Sequence, residues 1–192
     1  MKAKDVLIFD VDGVMTDGSV TYDENGVEYK TFNVKDGQGL VRMGKSGFIT
    51  AIITARNNGT VKHRAENLNI TEIYQGQKYK LPALEEIMAK YGLTYENVAY
   101  MGDDIPDICV LEKVALACCP NDAVDEVRAV CNFISSNSTQ VELMVDENMI
   151  NKIKLRHFLG TPKYKSKAIG KKNRMVVGIT DNGFAKKIKE IR

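Results

Sequence analysis

Short apolar runs recur along the first two thirds of the chain, and each stops at a polar or acidic residue. "DVLIFDV", "FITAIITAR", "ITEIYQG", "VAYMGDDIPD", "ALACCP" and "NFISS" are such runs. Continuous apolar runs bounded by turn residues predict strands buried on both faces. Between them, apolar residues at helical spacing predict helices: a short one within "KDGQGLVRMGKSG" ending at Gly47, then "VKHRAENLN", "KLPALEEIMAKYG" with Gly92 as C-cap, "ICVLEKV" and "DAVDEVRAVC". One segment breaks the alternation. "SVTYDENGVEYKTFNV" has two β-prone arms around Asn25-Gly26, which predicts a hairpin over about residues 19–33.

Strands alternating with helices predict an α/β, Rossmann-like parallel sheet flanked by helices, here with a β-hairpin after the first strand. In such sheets the functional crevice lies beyond the carboxyl ends of the strands. Strand one ends in Asp10 and Asp12, strand two in Thr54, Ala55 and Arg56, and strand four in Asp103, Asp104 and Asp107; Lys80 opens the helix after strand three. A lone Asp at a strand end serves as a turn or cap residue, and that is the reading for Asp17 and Asp36. Several carboxylates converging on one rim repel, and a hard cation with oxygen ligands relieves that repulsion. Magnesium fits, since it takes one or two carboxylates and leaves room for a phosphate. A lysine and a hydroxyl at the same place would hold the remaining phosphoryl oxygens.

Composition adds limits. With 44% hydrophobic and 27% charged residues in 192, the chain reads as an ordinary globular protein. The start of the chain lacks the apolar core of a signal peptide, and no apolar run approaches the roughly 20 residues of a membrane span, so the cytoplasm is the expected location. Cys109, Cys118, Cys119 and Cys131 have no CxxC spacing and read as reduced, packed side chains, and two histidines make a zinc site unexpected. Charge divides the chain. Residues 151–192 hold 13 basic and 2 acidic residues, against 14 and 23 in residues 1–150. The expected organisation is therefore an acidic domain over 1–150 and a basic extension over 151–192 of unknown role, with nucleic acid unlikely as its partner.

"DVDGV", "IITAR", Lys80 and "GDDIPD", in that order, resemble the four motifs of the haloacid dehalogenase superfamily of phosphotransferases. The resemblance implies roles. Asp10 is the nucleophile that forms an aspartyl-phosphate. Asp12 is the general acid and base. Thr54 and Lys80 hold the phosphoryl group, and Lys80 also orients Asp10. Asp10, Asp103 and the backbone carbonyl of Asp12 bind Mg2+. Asp107 acts through metal-bound water or by holding Lys80, and Asp104 is open between binding the metal and supporting a ligand. Asp12 to Thr54 spans 42 positions and Thr54 to Lys80 spans 26, both already filled by the elements above, so the expected enzyme is capless.

Residues 5 to 137 are similar to the 3-deoxy-D-manno-octulosonate 8-phosphate phosphatase group of lipopolysaccharide biosynthesis, whose relatives act on nine-carbon acids such as N-acylneuraminate 9-phosphate. The resemblance implies a Mg2+-dependent phosphomonoesterase for a small sugar-acid phosphate, and a homotetramer with the hairpin between subunits. Arg56 suits bidentate capture of a sugar carboxylate, and Arg64 is a second candidate for that contact; the resemblance implies Arg at this place in the octulosonate enzymes and Glu in a nine-carbon branch, which points to the eight-carbon acid. Ala55 replaces the group's usual Gly, and its Gly-rich segment after the last strand is absent. A catalytically silent scaffold on the same fold is the alternative of another class.

Overall fold

Four apolar residues, Val6–Phe9, form β1, and all four are buried. The computed structural model describes residues 5–135. β1 is followed by a two-stranded antiparallel ribbon, β2 (Thr21–Tyr22) and β3 (Glu28–Tyr29). Then come α1 (Val34–Lys45), β4 (Ile49–Ile53), α2 (Gly59–Asn67), β5 (Glu72–Tyr74), α3 (Lys80–Tyr91) and β6 (Val98–Met101). The described chain closes with α4 (Ile108–Leu111), β7 (Leu116–Cys119), α5 (Asp125–Val130) and β8 (Phe133–Ile134). The six-stranded sheet has the order β5-β4-β1-β6-β7-β8 and is parallel throughout. Val6 of β1 pairs with Ile49 of β4 on one side and Val98 of β6 on the other.

Strand alternation sorts the side chains into two cores. Leu7, Phe9, Ile52, Ala99 and Met101 pack with Leu40 and Met43 of α1 and Val61 and Ala65 of α2. Val6, Ile8, Ala51, Ile53 and Tyr100 pack with Leu84 and Ile87 of α3, Val110 of α4 and Val127 of α5. Helices on both faces explain why the strands read as unbroken apolar runs. Each fully buried Leu, Ile or Phe contributes about 1.5–3 kcal/mol, so a polar residue within β1 would be costly.

The expected fold is present, with three differences in detail. The hairpin arms pair over two residues each, because Asp23 takes the turn: its Oδ1 accepts from the N–H of Asn25 and of Val27, both at 2.9 Å. α1 begins earlier than expected, at Val34, where Asn33 caps it through Oδ1 and the Lys35 N–H at 2.8 Å. Asp36 therefore lies buried in the first helical turn, not in a loop, where the helix N-terminus favours a negative charge. α4 is a single turn. Gly92 does cap α3, in the left-handed conformation at φ 64°. The stretch from Asp12 to Thr54 is taken up by β2, β3, α1 and β4, and that from Thr54 to Lys80 by α2 and β5, with no room for a cap domain. No helix among the described residues is long and apolar enough to cross a membrane. The boundary expected at 150/151 and the basic extension lie outside the described residues.

Candidate active site

Lys80 is the first residue of α3, and only 2% of it meets solvent. A buried ammonium at a helix N-terminus opposes both solvation and the helix dipole, so it needs partners. It has two: Nζ lies 2.9 Å from Asp10 Oδ2 and 2.6 Å from Asp107 Oδ1. Burial pushes the Lys80 ammonium down, but Asp10 and Asp107 outweigh burial and hold it above the ordinary lysine value.

Asp107 is saturated with donors. Its Oδ1 also accepts from the Tyr100 hydroxyl at 2.5 Å, and its Oδ2 from the backbone N–H of Asp103 at 3.2 Å and of Asp104 at 3.3 Å. It thus ties α3 to the turn after β6. Gly102 makes this possible, because a Cβ there would lie 2.3 Å from Asp107 Cγ.

Asp10 and Asp103 are different. Oδ1 of each is buried and accepts no hydrogen bond. Burial first of all, then the Asp107 charge, pushes Asp10 up to about 6 against the opposing pull of Lys80. Burial, with Asp10 and Asp107 behind it, pushes Asp103 up to about 8. Oxygens of Asp10, Asp103 and Asp107 lie within 4.8 Å of one another. Two carboxylates in one cluster, each with a buried oxygen that accepts nothing and each reluctant to ionise without a counter-charge, fit a hard divalent cation.

Gly13, at φ 78°, closes the turn after β1 against this cluster; a Cβ there would lie 1.9 Å from Asp103 Oδ2. Gly13→Ala would therefore displace the Asp103 carboxylate and strain the turn. We expect about a tenfold or greater loss of divalent-cation affinity, read by titration calorimetry. Unchanged affinity would mean that Asp103 is not a ligand.

Thr54, buried at the end of β4, is held by its backbone: its N–H donates to the Tyr74 carbonyl and its carbonyl accepts from the Gln77 N–H, both at 2.9 Å. Asp12 is partly exposed and forms ion pairs with Lys30 and, at 3.6 Å, with Arg56 Nε. Lys30 and its neighbour Glu28 were not expected at the rim. The only signal for them is their spacing of two on one arm of the hairpin. Asp104 caps the turn at Ile105–Asp107, accepting from the Ile105 N–H at 2.7 Å, so its carboxylate serves the backbone. Arg64, expected near a substrate carboxylate, is paired elsewhere: it donates to the Asn33 carbonyl at 3.0 Å and lies over the Phe32 ring. The contacts of Arg64 join α2 to the start of α1 and leave it apart from the carboxylate cluster.

A family model described as haloacid dehalogenase-like hydrolase matches residues 45–142, about half of the chain. The chain belongs to the haloacid dehalogenase-like hydrolases. Among curated proteins, it is 46% identical over 118 residues to 3-deoxy-D-manno-octulosonate 8-phosphate phosphatase KdsC of Escherichia coli K12. That match covers 62% of this chain and 63% of the relative's length. Two solved structures of such phosphatases are similar over most of their length. The Yersinia pestis enzyme has a TM-score of 0.75 and 36% identity, covering 80% of this chain and 85% of that one. The Moraxella catarrhalis enzyme, solved with magnesium ion, phosphate ion and a KDO molecule, has a TM-score of 0.75 and 34% identity over 82% of this chain and 91% of that one. The DVDG and GDDIPD segments of this haloacid dehalogenase-like hydrolase follow the carboxyl ends of the adjacent parallel strands β1 and β6.

Proposed function

We propose that the protein is a Mg2+-dependent phosphomonoesterase acting on 3-deoxy-D-manno-octulosonate 8-phosphate through an aspartyl-phosphate. The observation that carries this reading is the cluster in which Lys80 bridges Asp10 and Asp107 while Oδ1 of Asp10 and of Asp103 stay unpaired. The 46% identity to an enzyme of that name supports the choice of sugar.

Asp10, Asp103 and the Asp12 backbone carbonyl would hold the metal, which neutralises phosphoryl charge when bound. Lys80 fixes Oδ2 of Asp10 and so aims the carboxylate. The Asp10 carboxylate attacks phosphorus, and the bond from phosphorus to the sugar oxygen breaks. Asp12 gives its proton to that leaving oxygen. Asp12 then takes a proton from water, the hydroxide attacks phosphorus, and the bond to Asp10 breaks to release phosphate. Thr54 supports the phosphoryl oxygens, and Arg56 is the candidate partner for the sugar carboxylate. Exposed Val20, Tyr22, Val27 and Tyr29 on the hairpin support the expected homotetramer.

The direct test is phosphate release from the eight-carbon and the nine-carbon acid phosphates, with magnesium and with chelator. Metal-dependent release faster on the eight-carbon acid supports the reading, and release from neither sinks it. A second expectation follows from the carboxylates. Asp10 and Asp103 bind protons more tightly in the fold than in the unfolded chain. Without metal, the fold therefore loses stability as pH rises from about 4 through about 8. Magnesium competes with those protons. At saturation it should raise Tm by about 5–10 °C near pH 8 and by much less near pH 5. Equal shifts at both values, by scanning calorimetry, would place the metal elsewhere.

A further inference from the structure

The proposed chemistry asks Asp12 to move a proton twice, yet the groups that reach its carboxylate come from elsewhere in the chain. Lys30 Nζ pairs with Asp12 Oδ1, and the same Nζ lies 2.8 Å from Glu28 Oε1. Arg56 closes the circuit, with Nη1 3.1 Å from Glu28 Oε2 and Nε 3.6 Å from Asp12 Oδ2. Two cations and two carboxylates from three segments thus form a neutral ring. The Lys30 side chain is 2% exposed, although it stands on a ribbon whose Tyr22 and Tyr29 are 58% and 56% exposed. Burying an ammonium is unfavourable unless its partners offset the lost hydration. A ribbon of two-residue strands contributes little stability of its own. Strand alternation puts Glu28 and Lys30 on the same side of the ribbon, facing the rim, and Tyr29 on the other.

We propose that Lys30 is a positioning residue for the general acid and base: it holds Oδ1 of Asp12 so that Oδ2 is the oxygen that delivers and takes the proton. Glu28, itself paired with Arg56, holds Lys30 there. The inference rests on the phosphatase reading above. At 3.6 Å, Arg56 Nε leaves Oδ2 without a close hydrogen bond, so that oxygen is open to the leaving group. Proton transfer needs heavy atoms within about 2.6–3.2 Å, and a carboxylate free to rotate loses that alignment.

The test uses the full chain with Lys30→Met, Lys30→Arg, Asp12→Asn and the Lys30→Met/Asp12→Asn double variant. Methionine keeps the length and burial of the side chain, and thermal unfolding checks that the fold persists. The substrates are the sugar-acid phosphate, whose alkoxide needs a proton to leave, and p-nitrophenyl phosphate, whose phenolate does not. On the sugar phosphate, Lys30→Met should lower kcat by about 10–100-fold with KM within about threefold. On p-nitrophenyl phosphate, the first turnover should stay within about threefold of wild type, giving a burst before a slow steady state. Lys30→Met should add less than about twofold to Asp12→Asn, because both act through one group. Lys30→Arg keeps the charge and should recover most of the loss. Additive losses in the double variant, or equal losses in the burst and on the sugar phosphate, would overturn the inference alone. So would a fully active Lys30→Met enzyme. A folded wild-type protein that hydrolyses neither substrate would overturn the phosphatase reading and this inference with it.

Discussion

Asp10→Asn will yield a folded protein that has lost phosphate release by at least about 10⁴-fold, and whose metal-free fold is no less stable than wild type. The two effects share one cause. The amide keeps the size of the carboxylate and an oxygen that can accept from Lys80, so the packing is undisturbed. It is no nucleophile, so the aspartyl-phosphate cannot form and only uncatalysed attack by water remains. Meanwhile burial has already pushed Asp10 up to about 6, so near neutral pH its ionised form is held at a cost. A neutral residue removes that cost, and we expect a change between zero and about 1 kcal/mol in favour of the variant in chelator. Stopped assays of phosphate release and urea unfolding read the two quantities separately. Residual turnover above about 1% of wild type would mean that another group attacks phosphorus.

The second large effect is on stability. Asp107→Ala should destabilise the protein by about 3–5 kcal/mol. The variant strips one of two counter-charges from Lys80, the acceptor from Tyr100, and the partner of the Asp103 and Asp104 N–H groups. Tyr100 and Lys80 are both fully buried, so neither can turn to water without moving α3 or β6. Relief of repulsion on Asp10 and Asp103 offsets part of the loss, which keeps the expectation at the lower end of that range. Urea midpoints of wild type and variant measure it. A loss under about 1 kcal/mol would show that the Lys80 ammonium is sustained by Asp10 alone.

Local signals in the chain were legible, and distant pairings were not. β1, β4, β6 and β7 announce themselves as apolar runs because a parallel sheet covered on both faces leaves few polar positions, Thr50 of β4 being one. The placement of Asp10, Thr54 and Asp103 follows from strand ends, and that of Lys80 from a helix start. Gly92 marks the end of α3 because little else accepts a left-handed conformation without strain. Lys30 is 18 residues from Asp12, and Arg56 is 28 from Glu28; no periodicity relates such partners. Arg64 reads in the sequence as a second candidate for the sugar carboxylate, and its bond to the Asn33 carbonyl, 31 residues away, has no local signal. Asp104 looks like its neighbour Asp103 in sequence. A backbone turn one residue later diverts its carboxylate to the Ile105 N–H.

β1 lies between β4 and β6, and this has a consequence for synthesis. β1 leaves the ribosome before either of its neighbours in the sheet. Of its two neighbours, β4 begins at Ile49, and β6 begins 92 residues after Val6, at Val98. At about 5–20 residues per second, β1 waits roughly 5–20 s for its second neighbour. Only when Asp107 has also emerged can Lys80 be buried. Until β6 has emerged, one edge of β1 stays uncovered in the nascent chain, and slow parallel pairing of this kind leaves such an edge exposed to aggregation.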